Sequence, residues 1–322
     1  RHMPVVSAAA DRLAASRLLS GRRVGVCLAL EPKTAVLVLE LARAGAEVSA
    51  YGHPEETDVA VAAELRAQGI TVFADPDPAR ADELADAFLA QRLHLLVDDG
   101  SHLIRRLLDH PQWAGDLVGA AEETTSGLRP LRGRQLPFPV VAVNDAGSKL
   151  CFDNAHGTGQ SCLFTVLDLV APDGAWPLAG RTVVVAGFGP VGEGFARHAA
   201  ALGARVGVAD PDPVAALRAQ FAGHETGDLV DLVGDADLVV SASGHPHTIT
   251  PEVLAAARDG AVVAVAGGVE DEVDWRAVVA AGGSLQQVAD KVEDLVIPGG
   301  GTVRLLDRGG CINITAGEGN PI

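Results

Sequence analysis

The stretch from Thr182 to Asp210, TVVVAGFGPVGEGFARHAAALGARVGVAD, decides how the rest of the chain is read. Val183, Val184, Val185 and Ala186 form a short apolar run that predicts a strand. Gly187, Gly189 and Gly192 follow in G-x-G-x-x-G spacing, then a helical segment, then a strand-like run from Arg205 to Val208 closed by Asp210. Strand, glycine turn, helix, strand and terminal acid in that order make a βαβ unit for a dinucleotide. The first glycine allows the tight turn, the second lets the backbone approach a pyrophosphate, and the third lets helix and strand pack closely. The phosphates are expected on the unpaired N–H groups of the helix start, Val191 among them. Asp210 would take the ribose hydroxyls, and its charge would repel the extra phosphate of NADP, so NAD is the cofactor expected. The competing reading is an ordinary tight βα turn.

At 322 residues, 48% of them hydrophobic and 4% aromatic, the chain has room for two α/β domains. A net charge of −17 argues against DNA or RNA as a partner, because phosphate would be repelled over most of the surface. No apolar run reaches the length of a membrane span and no signal-peptide pattern is visible, so no membrane partner is expected and the reading is cytoplasmic. Arg1, His2 and Met3 read as a vector remnant. Cys27, Cys151, Cys162 and Cys311 lack C-x-x-C spacing, so reduced and mostly buried thiols are expected. His245 and His247 in HPHT have no third ligand nearby, and no metal is expected.

Towards the N-terminus, strands are predicted at 23–27, 47–50, 70–74 and 95–97, alternating with helices at 8–19, 34–44, 58–68 and 80–90. Such alternation means a parallel sheet. Its last strand runs into Asp98-Asp99-Gly100, where an open α/β sheet gathers ligands, although a solvated turn would use the same residues. Further on come a strand at 140–143, a turn at Gly157-Thr158-Gly159-Gln160-Ser161, and an apolar helix at 162–170. Beyond Asp210, a helix at 214–221 and strands at 238–241 and 261–266 continue the second domain. A segment at 283–288 and a hairpin over 294–306 are harder to place.

The segments EETTSG (122–127), VNDAGSKLCFDN (143–154), GTGQS (157–161), VAGFGPVGEGFA (185–196) and CINITAGEGNPI (311–322) closely resemble, in that order, those of S-adenosyl-L-homocysteine hydrolases. The resemblance implies a substrate domain at 4–155, a hinge helix at 156–176, a Rossmann-type NAD-binding domain at 177–316 and a return segment at 317–322. It implies tightly held NAD, a nucleoside substrate and a homodimer or homotetramer. In that family NAD oxidises the ribose 3′-hydroxyl, the ketone acidifies C4′–H, the 5′ substituent leaves, water adds, and the ketone is reduced again. By similarity Lys149 and Asp153 contact the 3′-hydroxyl, with Asn154 next to them. Asp99 is a base near C4′ or the 5′ side, and Glu123 binds the ribose hydroxyls. Thr124, Thr125 and Ser126 touch the nicotinamide half of NAD, and Asn313 lies beside its carboxamide. Read alone, a secondary alcohol losing hydride needs a base at hydrogen-bond distance with a pKa near neutrality, which a desolvated lysine supplies. A surface charge is the plain alternative for Lys149.

The departures matter too. The family usually has His at Ala29, Thr at Glu31, Glu at Lys33, and His at Gly268 and Asn320, so three imidazoles are missing and the charge offered to the base is reversed. The chain also starts late. If it is complete, it lacks the C-terminal Lys and Tyr that reach NAD in the neighbouring protomer, and the cofactor is less enclosed or the dimer differs. The expectation is therefore an NAD-dependent, redox-neutral enzyme acting on an adenosine-type nucleoside by transient 3′-oxidation and 5′ elimination, such as a nucleoside dehydratase. Ordinary S-adenosylhomocysteine hydrolysis, a non-catalytic NAD-binding relative and a net dehydrogenase are the alternatives.

Overall fold

The computed structural model describes residues 3–267, 271–317 and 319–320, apart from the side chain of Glu55. The chain forms two compact units, 1–145 and 146–322.

Unit 1 is built on six parallel strands: β1 (Arg23–Cys27), β2 (Glu47–Tyr51), β3 (Thr71–Phe73), β4 (Leu95–Asp98), β5 (Gly119–Glu122) and β6 (Val140–Ala142). Their order is β3-β2-β1-β4-β5-β6. Helices α1 (Pro4–Ser16), α2 (Pro32–Arg43), α3 (Val59–Ala67), α4 (Ala81–Leu89), α5 (His102–Asp109) and the one-turn α6 (Thr125–Leu128) connect and cover them. Starts are set by local chemistry. Asp58 caps α3 by accepting from the Ala60 and Val61 N–H groups, and Pro32 opens α2 where no N–H is needed. One face of the sheet packs Phe88, Leu89, Leu96 and Ile104; the other packs Val26, Leu30, Val38 and Leu65. Strand β5 and helix α5 are additions to what the sequence predicts.

Unit 2 opens with a wide i→i+5 helix, Lys149–Thr158, that runs straight into α7 (Gly159–Val170). It continues with β7 (Thr182–Ala186), α8 (Pro190–Ala201), β8 (Arg205–Ala209), α9 (Pro213–Phe221), β9 (Glu225–Thr226), α10 (Leu229–Leu232), β10 (Leu238–Ser241), α11 (Pro251–Ala256) and β11 (Val262–Val265). The last elements are α12 (Trp275–Ala280), β12 (Ser284–Ala289), β13 (Val292–Val296), β14 (Thr302–Leu306) and α13 (Ile312–Thr315). The sheet order is β12-β13-β14-β11-β10-β7-β8-β9. From β9 to β14 it repeats the doubly wound order of unit 1, and the expected hairpin is the antiparallel pair β13/β14. Both units are thus α/β. The first is wholly parallel, while the second carries antiparallel strands at one edge.

The boundary falls ten residues earlier than the sequence reading placed it, after Asp145 rather than 155. The supposed hinge helix is core: Cys162, Leu163 and Val166 are buried with Phe195 and Val183. The supposed turn at 157–161 is continuous helix, and its glycines allow close approach. A Cβ at Gly159 would stand 2.7 Å from the Gly194 carbonyl carbon, and one at Gly194 would clash with the Ala155 carbonyl oxygen. Small residues therefore lock this segment onto α8, and Lys149, Asp153 and Asn154 belong to the nucleotide-fold unit. Of the four cysteines only Cys27 and Cys162 are buried; Cys151 is exposed. Gly268 lies outside the described residues, as do Glu318, Pro321 and Ile322 of the return segment and Arg1 and His2 at the start. No described helix is long and apolar enough to cross a membrane.

Candidate functional site

In unit 2 the glycine turn sits where β7 meets α8. Gly187 has φ of +98°, a conformation that favours glycine, and its N–H donates to the Ala209 carbonyl at 2.8 Å. A Cβ on Gly192 would lie 1.9 Å from the Gly187 oxygen, so helix and turn are in contact there. A Cβ on Gly189 would meet no described atom within 4 Å. That open space lies at the start of a 12-residue helix whose N-cap, Gly189, has no capping side chain. No side chain caps the first-turn N–H groups there, that of Val191 included. This is the cradle a pyrophosphate needs, and the residues present fit NAD. Asp210 follows β8, and each of its oxygens already accepts a backbone N–H, from Phe188 at 2.6 Å and from Asp212 at 2.8 Å. A carboxylate offers about four lone-pair positions, so it can hold the turn and still accept from ribose hydroxyls.

The i→i+5 helix supplies the second cluster. In such a helix, residues four and five apart lie on one face, which groups Lys149 with Asp153 and Asn154. Lys149 and Asp153 are half-buried and Asn154 is buried. The Asp153 carboxylate accepts from the Asn320 Nδ2 at 2.7 Å. Asn313 is buried. Its Nδ2 donates to Ser161 and Asn320, and its Oδ1 accepts from the Cys311 thiol.

In unit 1 the chemistry collects at the carboxyl ends of β1 and β4, the point where the strand order reverses. The register pairs Cys27 with Asp98 and Asp98 with Glu122, so three loops start side by side. Gly100 and Ser101 turn with positive φ. Asp98 is fully buried, and its Oδ2 accepts from the Leu103 and Ile104 N–H groups at 3.0 and 2.7 Å, starting α5. Burial, reinforced by Glu122, pushes the Asp98 carboxyl up to about 8. Glu122 is also buried, and burial raises its carboxyl too. It accepts from the N–H groups of Ser101 and Thr124 and from the Thr124 hydroxyl, each at 2.8 Å.

This loop modifies the sequence reading. Glu123 is half-buried, and its N–H donates to the Asp98 carbonyl at 3.1 Å. The Thr124 hydroxyl donates to Glu122 and accepts from Gly100, Ser126 and Gly127, so it holds the loop. Thr125 is exposed and donates to Asn144.

Asp99 lines a cavity of about 160 Å³ with Cys27, Tyr51, Glu56, Asp82 and Arg106. Two imidazoles share it, those of His53 and His102, with ring centroids 5.9 Å apart and planes at 25°. Sequence reasoning passed over both. The signal was available in one histidine two residues past β2 and the other opening α5, both at the carboxyl end of the sheet. Across the β1 turn, Glu31 and Lys33 form an ion pair at 3.3 Å. Burial raises the Glu31 carboxyl, and Lys33 partly offsets that. The candidates thus lie around Asp99 and Glu122 in unit 1, and at the glycine turn and on the i→i+5 helix in unit 2.

A doubly wound sheet, a G-x-G-x-x-G turn with open space above its middle glycine and an acid at the end of the next strand define a dinucleotide-binding protein of the Rossmann class. Residues 160–319 match the family model described as S-adenosyl-L-homocysteine hydrolase, NAD binding domain. An S-inosyl-L-homocysteine hydrolase from Methanopyrus kandleri is 37% identical, over 100% of this chain and 77% of its own length. An adenosylhomocysteinase from Thermotoga maritima is 36% identical, over 100% of this chain and 81% of its own. A solved structure, that of a dipicolinate synthase component from Bacillus halodurans, is 16% identical at a TM-score of 0.46, covering 78% of this chain and 85% of that one. The chain belongs to the S-adenosyl-L-homocysteine hydrolase family, and NAD is its cofactor.

Proposed function

We propose that this chain hydrolyses an S-nucleosyl-L-homocysteine to a purine nucleoside and homocysteine, with no net redox change. The observation that carries this reading is that Asp99 and the His53–His102 pair line one cavity at the carboxyl end of the sheet, with the Glu31–Lys33 pair in the turn that follows β1. There the turn after β1 reads Cys27-Leu28-Ala29-Leu30-Glu31, without the glycines that admit a pyrophosphate, so unit 1 suits a nucleoside rather than a second dinucleotide.

The glycine turn, the start of α8 and Asp210 would hold NAD, which would supply a reversible hydride acceptor for C3′ of the sugar. Lys149 removes the 3′-hydroxyl proton while Asp153 accepts a hydrogen bond from the same region of the sugar. Glu123 and Asn154 hold the ribose. Asp99 takes the C4′ proton, the C5′–S bond breaks, and the His53–His102 pair protonates the departing thiolate and then activates the water that adds. Glu31 and Lys33 present an acceptor and a donor to the six-membered edge of the base. A 6-oxopurine answers with its carbonyl and N1–H, and adenine answers with N1 and its amino group in the opposite order.

The cavity beside Asp99, about 160 Å³, supports a second reading, in which the 5′ substituent is small and the same residues expel water from a 5′-hydroxyl. Assembly into a dimer or tetramer, through faces carrying the exposed Phe152 and Phe164, belongs to the same proposal and is checked by light scattering. The deciding experiment incubates the NAD-loaded protein with S-adenosylhomocysteine, S-inosylhomocysteine, adenosine and inosine, followed by thiol titration and mass spectrometry. Release of homocysteine supports hydrolysis; loss of water supports the second reading. Accumulation of NADH with a keto-nucleoside would make it a net dehydrogenase, and no change with any substrate would refute an enzymatic role.

A further inference from the structure

We infer that Asn320 is a positioning residue that fixes the Asp153 carboxylate and couples it to Asn313, an inference that rests on the reading of Asp153 as a contact of the sugar 3′-hydroxyl. The Asn320 side chain is a hub with four bonds. Its Nδ2 donates to Asp153 Oδ1 at 2.7 Å and to Thr158 Oγ1 at 3.0 Å. Its Oδ1 accepts from Ser161 Oγ at 3.0 Å and from Asn313 Nδ2 at 2.9 Å. A carboxamide has two N–H donors and two acceptor lone pairs, so all four positions are engaged. The orientation of the amide follows from its partners, because a carboxylate only accepts and Nδ2 must face it.

A carboxamide alone meets this demand at that length. A neutral imidazole has one donor and one acceptor and would leave two of the four partners without their bond. An aspartate has no donor when ionised and would set a second negative charge against Asp153. The site is also shaped around the amide: a Cβ on Gly157 would stand 3.2 Å from the Asn320 Cγ and Nδ2 and 3.3 Å from Asp153 Oδ1. The Gly319 N–H donates to the Asn313 carbonyl at 2.6 Å, folding the tail back so that Asn320 reaches the helix. The residue assigned to the sugar and the residue assigned to the cofactor's carboxamide are thereby joined through one side chain, and displacing it moves both.

The test uses Asn320→Asp, which preserves shape, and Gly157→Ala, which presses on the hub without changing any functional group. The titratable groups around the new carboxyl are Asp153, with Lys149 one turn earlier on the same helix, and Cys311, which reaches Asn313; Thr158 and Ser161 are neutral. The first readout is thermal unfolding of the NAD-free protein, independent of turnover. Asn320→Asp should be markedly less stable than wild type at about pH 8 and recover much of the gap at about pH 5, where the two carboxyls share a proton. An equal gap at both pH values would overturn the hub. The second readout is single-turnover NADH formation on mixing the NAD-loaded enzyme with adenosine or inosine. Both variants should slow it by roughly 10- to 100-fold, as expected for a misplacement of about 1 Å, with KM little changed. The ratio of Asn320→Asp to wild type should rise as pH falls. Wild-type rates in both variants would overturn the positioning role. A wild-type enzyme that forms no NADH with either nucleoside would instead overturn the functional reading, and the unfolding result would still decide the hub.

Discussion

Replacing Asp98 by asparagine should make unit 1 more stable above neutrality while leaving its structure intact. Asp98 is fully buried, and its Oδ2 holds the first N–H groups of α5. Its carboxyl sits at about 8 against an ordinary value of 3.8, so the folded state keeps a proton that the unfolded chain releases. Stability from this group is therefore fully present below about pH 4 and is lost as pH rises towards about 8. Each tenfold change in proton affinity is worth about 1.4 kcal/mol, so the loss between about pH 6 and pH 8 comes to about 2 kcal/mol.

The carboxamide of Asp98→Asn has nothing to titrate, and its carbonyl oxygen can accept from Leu103 and Ile104 as Oδ2 does. The assay is urea unfolding followed through Trp113, in a background with Trp176→Phe and Trp275→Phe so that only unit 1 is read. The difference between variant and wild type should move by about 2 kcal/mol in favour of the variant from about pH 6 to pH 8. Asp98→Ala, which strips both N–H groups of their acceptor, should be less stable than wild type at about pH 6 by roughly 1–3 kcal/mol. If wild type and Asp98→Asn run parallel across this range, Asp98 carries no proton at neutrality and the reasoning fails.

The second and third glycines of the dinucleotide turn should separate binding from folding. Gly189→Ala projects into open space and should weaken NAD about tenfold or more with little change in melting temperature, while Gly192→Ala drives a methyl into the Gly187 carbonyl and should cost about 2 kcal/mol or more of stability. The reverse pattern in calorimetry would place the pyrophosphate elsewhere. Asp210→Ala should lower both NAD affinity and stability, since that carboxylate serves ribose and the Phe188 N–H; unchanged affinity would confine it to the turn. Lys149→Ala should bind NAD normally yet give no absorbance change at the nicotinamide when nucleoside is added, and normal reduction would remove Lys149 from the oxidation step. Lys33→Glu should reduce binding of inosine more than that of adenosine if the ammonium faces a 6-oxo group, as isothermal titration can measure.

What was readable in the sequence follows from the range over which each signal acts. The turn of unit 2 announced itself because its glycines are needed by contacts only five residues apart. Unit 1 has the same strand order but no such fingerprint, and its β5 reads Gly-Ala-Ala-Glu, too short and too small-sided to stand out from a loop. The burial of Glu122 needed only the period of a strand: Ala120 and Glu122 are buried on one face of β5, and Glu123 lies beyond the strand end, but that inference requires knowing that β5 exists. The π-type winding at Lys149–Thr158 left no trace, because i→i+5 bonding is imposed by packing on α8 rather than by local propensity.

Asn320 was visible only as a missing histidine. Its partners Asp153 and Ser161 lie 167 and 159 positions away in sequence, and no periodicity reports a contact across that distance. The same holds for His53 and His102, whose meeting depends on β1 lying between β2 and β4. Imidazoles absent from the positions where the family usually carries them therefore do not make an active site without imidazole. Asp99 shares its cavity with two, contributed by other loops of the same sheet, and these are the groups to which the proposed reading gives proton transfer at the 5′ side. Changing His53 or His102 to Asn should accordingly abolish bond cleavage at C5′, read as homocysteine release, while leaving sugar oxidation, which draws on Lys149 and Asp153, in place.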